Sequence, residues 1–124
     1  MTVNSNEREK LVSMVAGFVS YASKHLPDDV MARLKELQEN EQTERGKTLY
    51  EAMFENLKQA HELDRPACQD TGIIQFFVRV GTRFAFIDEL EAILTDAVIK
   101  ATEEAPLRHN AVEVFEEKNT GNRD

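Results

Sequence analysis

At 124 residues, with 41% hydrophobic and 31% charged side chains, the chain is long enough to bury one core and too apolar to be disordered throughout, and it is read as a single domain over residues 1–124. Its 23 acidic against 15 basic residues give a formal charge of -8, which argues against a binder of nucleic-acid backbone driven by counterion release and makes any carboxylate site depend on local arginines. A single cysteine excludes an intrachain disulfide, and the absence of a leading apolar stretch or a run of about 20 apolar residues points to a reducing cytoplasm with no membrane partner.

Leu11, Met14, Val15, Phe18, Val19 and Ala22 recur at three- and four-residue steps and predict an amphipathic helix over residues 7–24, with Asn4 and Glu7 as its cap. Pro27 closes it, leaving His25 at the helix C-terminus. Asp28 is placed to cap a second, surface helix whose apolar positions are Val30, Met31, Leu34 and Leu37. Thr43 is placed to cap a third, running to about residue 63. Its wide stripe of Leu49, Tyr50, Met53, Phe54, Leu57 and Ala60 predicts burial on two sides, and His61 reads as a cap near its end.

Asp64-Arg65-Pro66 then breaks the helix and leads into Ala67-Cys68-Gln69-Asp70-Thr71-Gly72. Over residues 73–80 the alternation sets Ile74, Phe76, Val78 and Val80 on one face and Ile73, Gln75, Phe77 and Arg79 on the other, which predicts a buried strand. Gly81-Thr82-Arg83 reads as a turn, and Phe84-Ala85-Phe86 is a candidate for a short second strand. Asp88 and Glu91 form a capping box ahead of the best-defined helix, carried by Leu90, Ile93, Leu94, Ala97, Val98 and Ala101 to about residue 104. Pro106 ends it, residues 112–118 have room for one or two helical turns, and residues 119–124 carry no ordering signal. The predicted fold class is α+β, mainly helical, with about four helices, one main buried strand and an optional second. An open strand edge and uncovered helix faces would favour dimerisation.

Taken by themselves, the polar residues leave their roles open. A lone cysteine is either a small buried hydrophobe or a ligand that needs partners from elsewhere. Asp70 suits an Asx-turn as well as proton transfer, and Arg108 suits the surface as well as a two-pronged grip on a carboxylate. Together, however, Arg65-Pro66-Ala67-Cys68-Gln69-Asp70-Thr71-Gly72, the stretch Pro106-Leu107-Arg108-His109-Asn110-Ala111-Val112 and Asn119-Thr120-Gly121 resemble, in that order, the N-terminal part of the iron-sulfur hydro-lyases of the class I fumarase type.

The resemblance implies an alpha-subunit portion of an enzyme that eliminates water from a C4 hydroxy-dicarboxylate. His109 after Arg108 leans the substrate to L(+)-tartrate, giving oxaloacetate, with fumarate/malate interconversion as the alternative. It implies that Cys68 is one of three thiolate ligands of a 4Fe-4S cluster whose open iron meets the substrate. It also implies that Gln69 hydrogen-bonds the substrate, that Asp70 sits by the leaving hydroxyl, and that Arg108 and His109 contact substrate. The two other cysteines are expected downstream and the general base in the other half of the assembly, a separate beta subunit. The chain alone is therefore expected to be inactive and to hold no stable cluster. A reading of another class makes it a noncatalytic helical association domain.

Overall fold

The computed structural model describes residues 5–68, 72–109, 112–113 and 115–119. Among them are four α-helices, α1 (Ser5–Lys24), α2 (Asp28–Asn40), α3 (Glu44–Glu62) and α4 (Leu90–Glu104), with one 3-10 turn, Ile87–Glu89, ahead of α4.

The helix ends follow from local chemistry, though not always from the residues expected. Thr43 caps α3 as its side chain predicts, Oγ1 accepting from the Gly46 N–H at 3.1 Å. Asp28 instead lies inside the first turn of α2. Pro27 occupies the cap position, its carbonyl accepting from the Met31 N–H at 2.9 Å, and Asp28 and Asp29 face the positive end of the helix dipole. The Asp88–Glu91 capping box is replaced by backbone turns. Phe84 N–H donates to Gly81, Ile87 to Phe84 and Glu89 to Phe86, a succession of i to i+3 bonds that winds the chain directly into α4.

The main packing is between α1 and α4. Ala16 and Val19 of α1 meet Ala97 and Ala101 of α4, and Ala105 and Leu107 extend the same cluster beyond the helix. Four alanines among these contacts let the two backbones approach closely. The helices run parallel: Arg8, near the start of α1, reaches Glu89, just ahead of α4, with Nε at 3.1 Å and Asp96, in the first half of α4, with Nη2 at 2.7 Å. Val19, towards the end of α1, packs with Leu107 past the end of α4. Ile93 of α4 is fully buried. Ile93→Ala is expected to lower the unfolding free energy by about 3 kcal/mol, the lost transfer energy plus an incompletely closed cavity, read as an earlier urea midpoint with unchanged slope.

The predicted α+β class is not what forms. No strand or sheet occurs among the described residues, and the architecture is helical. The alternation holds only in its first half: Ile74 and Phe76 are half-buried against the α1–α4 cluster and Ile73 and Phe77 are 81% and 95% exposed, but Val78 and Val80, expected on the inner face, are exposed as well. What is missing is a partner. A strand is defined by a ladder, and among the described residues no backbone group of residues 73–80 bonds to another backbone group. The optional strand at residues 84–86 is the turn series described above. The helical turns expected over residues 112–118 are absent among the described residues there, where an isolated antiparallel bridge joins Val112 to Asn119 and the Glu113 N–H donates to the Lys118 carbonyl at 2.8 Å.

The two-sided burial expected of α3 is also absent, since only Ala60 is buried and Leu49 is 62% exposed. α2 and α3 form a loosely packed hairpin joined to α1 at one end. There His25 stacks on Tyr21 with ring centroids 4.2 Å apart and meets the edge of His61 at 5.6 Å. Its Nδ1 donates to the Tyr21 carbonyl at 3.1 Å, so the ring sits at the helix C-terminus as its position in the sequence predicts.

Candidate functional site

The loop that carries Cys68 begins where α3 stops. Leu63 closes the helix with its N–H on the Gln59 carbonyl at 2.9 Å, Asp64 takes φ of 51°, and the Arg65 N–H returns to the Ala60 carbonyl at 2.9 Å. This is a Schellman ending, with aspartate in the left-handed position that glycine usually fills. The carboxylate has its own reason to be there. Oδ1 of Asp64 accepts from Lys24 Nζ at 2.9 Å, tying the end of α3 to the end of α1.

That hydrogen bond, followed by the charge of Lys24, holds the Asp64 carboxyl below its ordinary value of 3.8. Because the native pKa is the lower one, the contribution to stability is present above about pH 4 and is lost as pH falls through the native value. Asp64→Asn keeps a residue tolerant of the left-handed region and removes the charge. It is expected to lower the melting midpoint slightly at pH 7, by an amount that shrinks to nothing when both proteins are melted near pH 2; the carboxylate is solvent-facing, so the effect is small.

Beyond the turn, both backbone groups of Ala67 are anchored. Its N–H donates to the Ser23 carbonyl at 3.1 Å, one of the groups the last turn of α1 leaves without an internal partner, and its carbonyl accepts from Asn56 Nδ2 at 2.6 Å. Cys68 therefore leaves a fixed point between α1 and α3, and its free thiol is exposed. Ser23 and Asn56 do this work without any local signature. Their partner lies 44 and 11 positions along the chain, and no pattern in the neighbouring sequence announces either. Gln69, Asp70 and Thr71 lie outside the described residues. Gly72 has φ of 66°, and a Cβ there would meet nothing within 4 Å, so only the backbone demands glycine.

The arginine stretch is positioned from the other helix. Leu107 is buried in the α1–α4 cluster, its N–H donating to the Thr102 carbonyl at 3.1 Å, and Arg108 and His109 are the exposed residues that follow this anchor. The His109 carbonyl accepts from Asn119 Nδ2, which brings the third stretch, around Asn119, back onto the second. Asn110 is outside the described residues.

Since α1 and α4 run parallel, the Ser23 end of α1 and the Leu107 end of α4 share one end of the pair. The Cys68 loop and the Arg108 loop both start from that end. Two helix C-termini present negative partial charge there, so a carboxylate ligand would need the guanidinium of Arg108 to offset it.

Among the described residues no group of three or more His, Cys, Asp or Glu side chains could enclose a metal. The single exposed thiol on an anchored loop fits one thiolate of a shared cluster and cannot be the whole donor set. A groove of about 650 Å³ lies at the opposite end, between Leu11 and Val15 of α1, residues 78–84, and Ile93 and Leu94 of α4; Cys68, Arg108 and His109 do not line it. No helix among the described residues is long and apolar enough to cross a membrane.

Comparison with known proteins bears on these loops. The sequence model of a family described as fumarate hydratase (fumerase) matches residues 12–124. The chain is 51% identical, over 98% of its length, to the L(+)-tartrate dehydratase subunit alpha of Escherichia coli strain K12, and equally to that of Shigella boydii serotype 4. It is 35% identical, over 89% of its length, to a Methanocaldococcus jannaschii protein provisionally given the same subunit name. It spans 41% of the length of the first two relatives and 39% of the third.

Proposed function

This chain belongs to the fumarate hydratase (fumerase) family, and from that premise we propose that it is the N-terminal portion of the alpha subunit of a hydro-lyase that converts L(+)-tartrate to oxaloacetate. The observation that carries the reading is the 51% identity sustained over 98% of the chain to tartrate dehydratase alpha subunits. The shared origin of the Cys68 and Arg108 loops at one end of the α1–α4 pair supports it.

The reaction removes a hydroxyl from one central carbon of tartrate and a proton from the other. Water leaves, and the enol that remains tautomerises to the ketone. In this proposal Cys68 is one of three thiolates holding a 4Fe-4S cluster, the other two being supplied by the part of the subunit outside residues 1–124. When bound, such a cluster offers an open iron that acts as a Lewis acid on the leaving hydroxyl.

The chain's own residues then position and neutralise. Arg108 grips a substrate carboxylate through two parallel N–H donors, and His109, next to it, contacts the same substrate. Gln69 donates to a substrate oxygen and Asp70 passes a proton to the departing hydroxyl, both following directly on the ligand. The base that takes the carbon-bound proton belongs to a beta subunit, so the active species is a heteromer. The exposed thiol and a cluster of this type call for a reducing compartment, here the cytoplasm.

The family description favours one second reading, a fumarate hydratase acting on fumarate and malate. Anaerobic assays of the complete subunit with its partner separate the two. Oxaloacetate formed from L(+)-tartrate with kcat/KM at least about tenfold above that for L-malate supports the proposal, the reverse preference supports the second reading, and no dehydration of either leaves a noncatalytic association domain.

A further inference from the structure

The groove at the end of the α1–α4 pair away from Cys68 has a floor of Leu11, Val15, Ile93 and Leu94, and two arginines, Arg79 and Arg83, at its lining. Both are exposed, and among the described residues neither makes an ion pair or hydrogen bond. That is notable beside Arg8, on the same helix pair, which holds two carboxylates in a chain of net charge -8. Residues 72–87 contain no acid of their own, so the groove is an apolar, basic strip on an acidic molecule. Val78 and Val80 line it while remaining 50% and 38% exposed.

We propose that this groove seats an apolar segment bearing carboxylates, supplied by the part of the subunit outside residues 1–124. Apolar side chains would fill the floor and the carboxylates would pair with Arg79 and Arg83, a desolvated contact in which two guanidiniums otherwise left unpaired find partners. A covalently tethered segment competes at an effective concentration in the millimolar range, ahead of any separate chain. A second copy, carrying the same net charge, approaches against repulsion. The inference rests on the proposal that the chain is part of a longer subunit, as its 41% coverage of its relatives suggests, and is independent of which substrate that subunit uses.

Amide hydrogen exchange tests it, with the α4 amides as the sign that each sample is folded. In the complete subunit without its partner, the amides of residues 78–84 should exchange at least about tenfold more slowly than in the 124-residue chain. The double variant Arg79→Glu, Arg83→Glu in the complete subunit should restore fast exchange there while α4 stays protected. Equal rates in the chain and the complete subunit overturn the docking. So does slowing that appears only when the separate partner is added, or slowing in the chain that grows with its concentration. Slowing that survives the double variant overturns the carboxylate pairing. Because exchange is read without substrate, loss of dehydratase activity neither supports nor sinks the groove, and the two failures remain distinguishable.

Discussion

Cys68→Ser, introduced into the complete protein, is expected to reduce L(+)-tartrate dehydration by about a thousandfold or more, because a hard, protonated hydroxyl is a poor replacement for a soft thiolate ligand to iron. The structure makes this a clean substitution. The Cys68 side chain is exposed and free, and the loop is fixed by its neighbour Ala67, whose two bonds to Ser23 and Asn56 use backbone groups on that side and do not involve the sulfur. The melting midpoint of the 124-residue chain should therefore be unchanged by the same replacement. A buried structural cysteine would behave in the opposite way, with the fold weakened and the chemistry following it. An activity loss accompanied by an equal loss of folded protein would speak for that structural role.

The second large effect is expected at Arg108. Arg108→Lys retains the positive charge beside the two helix C-termini and removes the planar fork, so it asks whether charge alone or a two-pronged carboxylate contact is required. If the guanidinium makes both bonds to substrate, kcat/KM should fall by about a hundredfold, equivalent to about 3 kcal/mol. The fold should survive the replacement, since the buried Leu107 and its bond to Thr102 anchor this loop. A change of less than about twofold would place Arg108 on the surface without a ligand.

The sequence carries the helical part of this fold because its signals are local. The spacing of Val15, Val19, Ala97 and Ala101 identifies the faces that meet, and Thr43 announces its own cap. It misled wherever the outcome depends on a distant partner. The period-two pattern is realised at Ile74 and Phe76, which turn inward, and not at Val78 and Val80, and alternation cannot say whether another backbone is available to form a ladder. The stripe on α3 shows that the helix is amphipathic, without saying that anything covers it. The Asp88–Glu91 box was outcompeted by successive backbone turns that satisfy the start of α4 without a side chain.

The candidate site divides in the same way. Cys68 and Arg108 stand out as residue types in short stretches that resemble a known family. That both loops start from one end of a parallel helix pair is a fact of packing, set by Leu107 among the alanines and by Ala67 against Ser23. Lys24 and Asp64, which hold the ends of α1 and α3 together, lie 40 residues apart and have no shared pattern to reveal them.

The most direct test of the account is the iron and sulfide content of the complete protein after anaerobic reconstitution, compared with its Cys68→Ser variant. One 4Fe-4S cluster per subunit with broad visible absorbance in the parent protein, and loss of most of that iron, sulfide and absorbance in the folded variant, is the predicted result. Equal iron, sulfide and absorbance in the two proteins would contradict it, and would remove Cys68 from the metal site altogether.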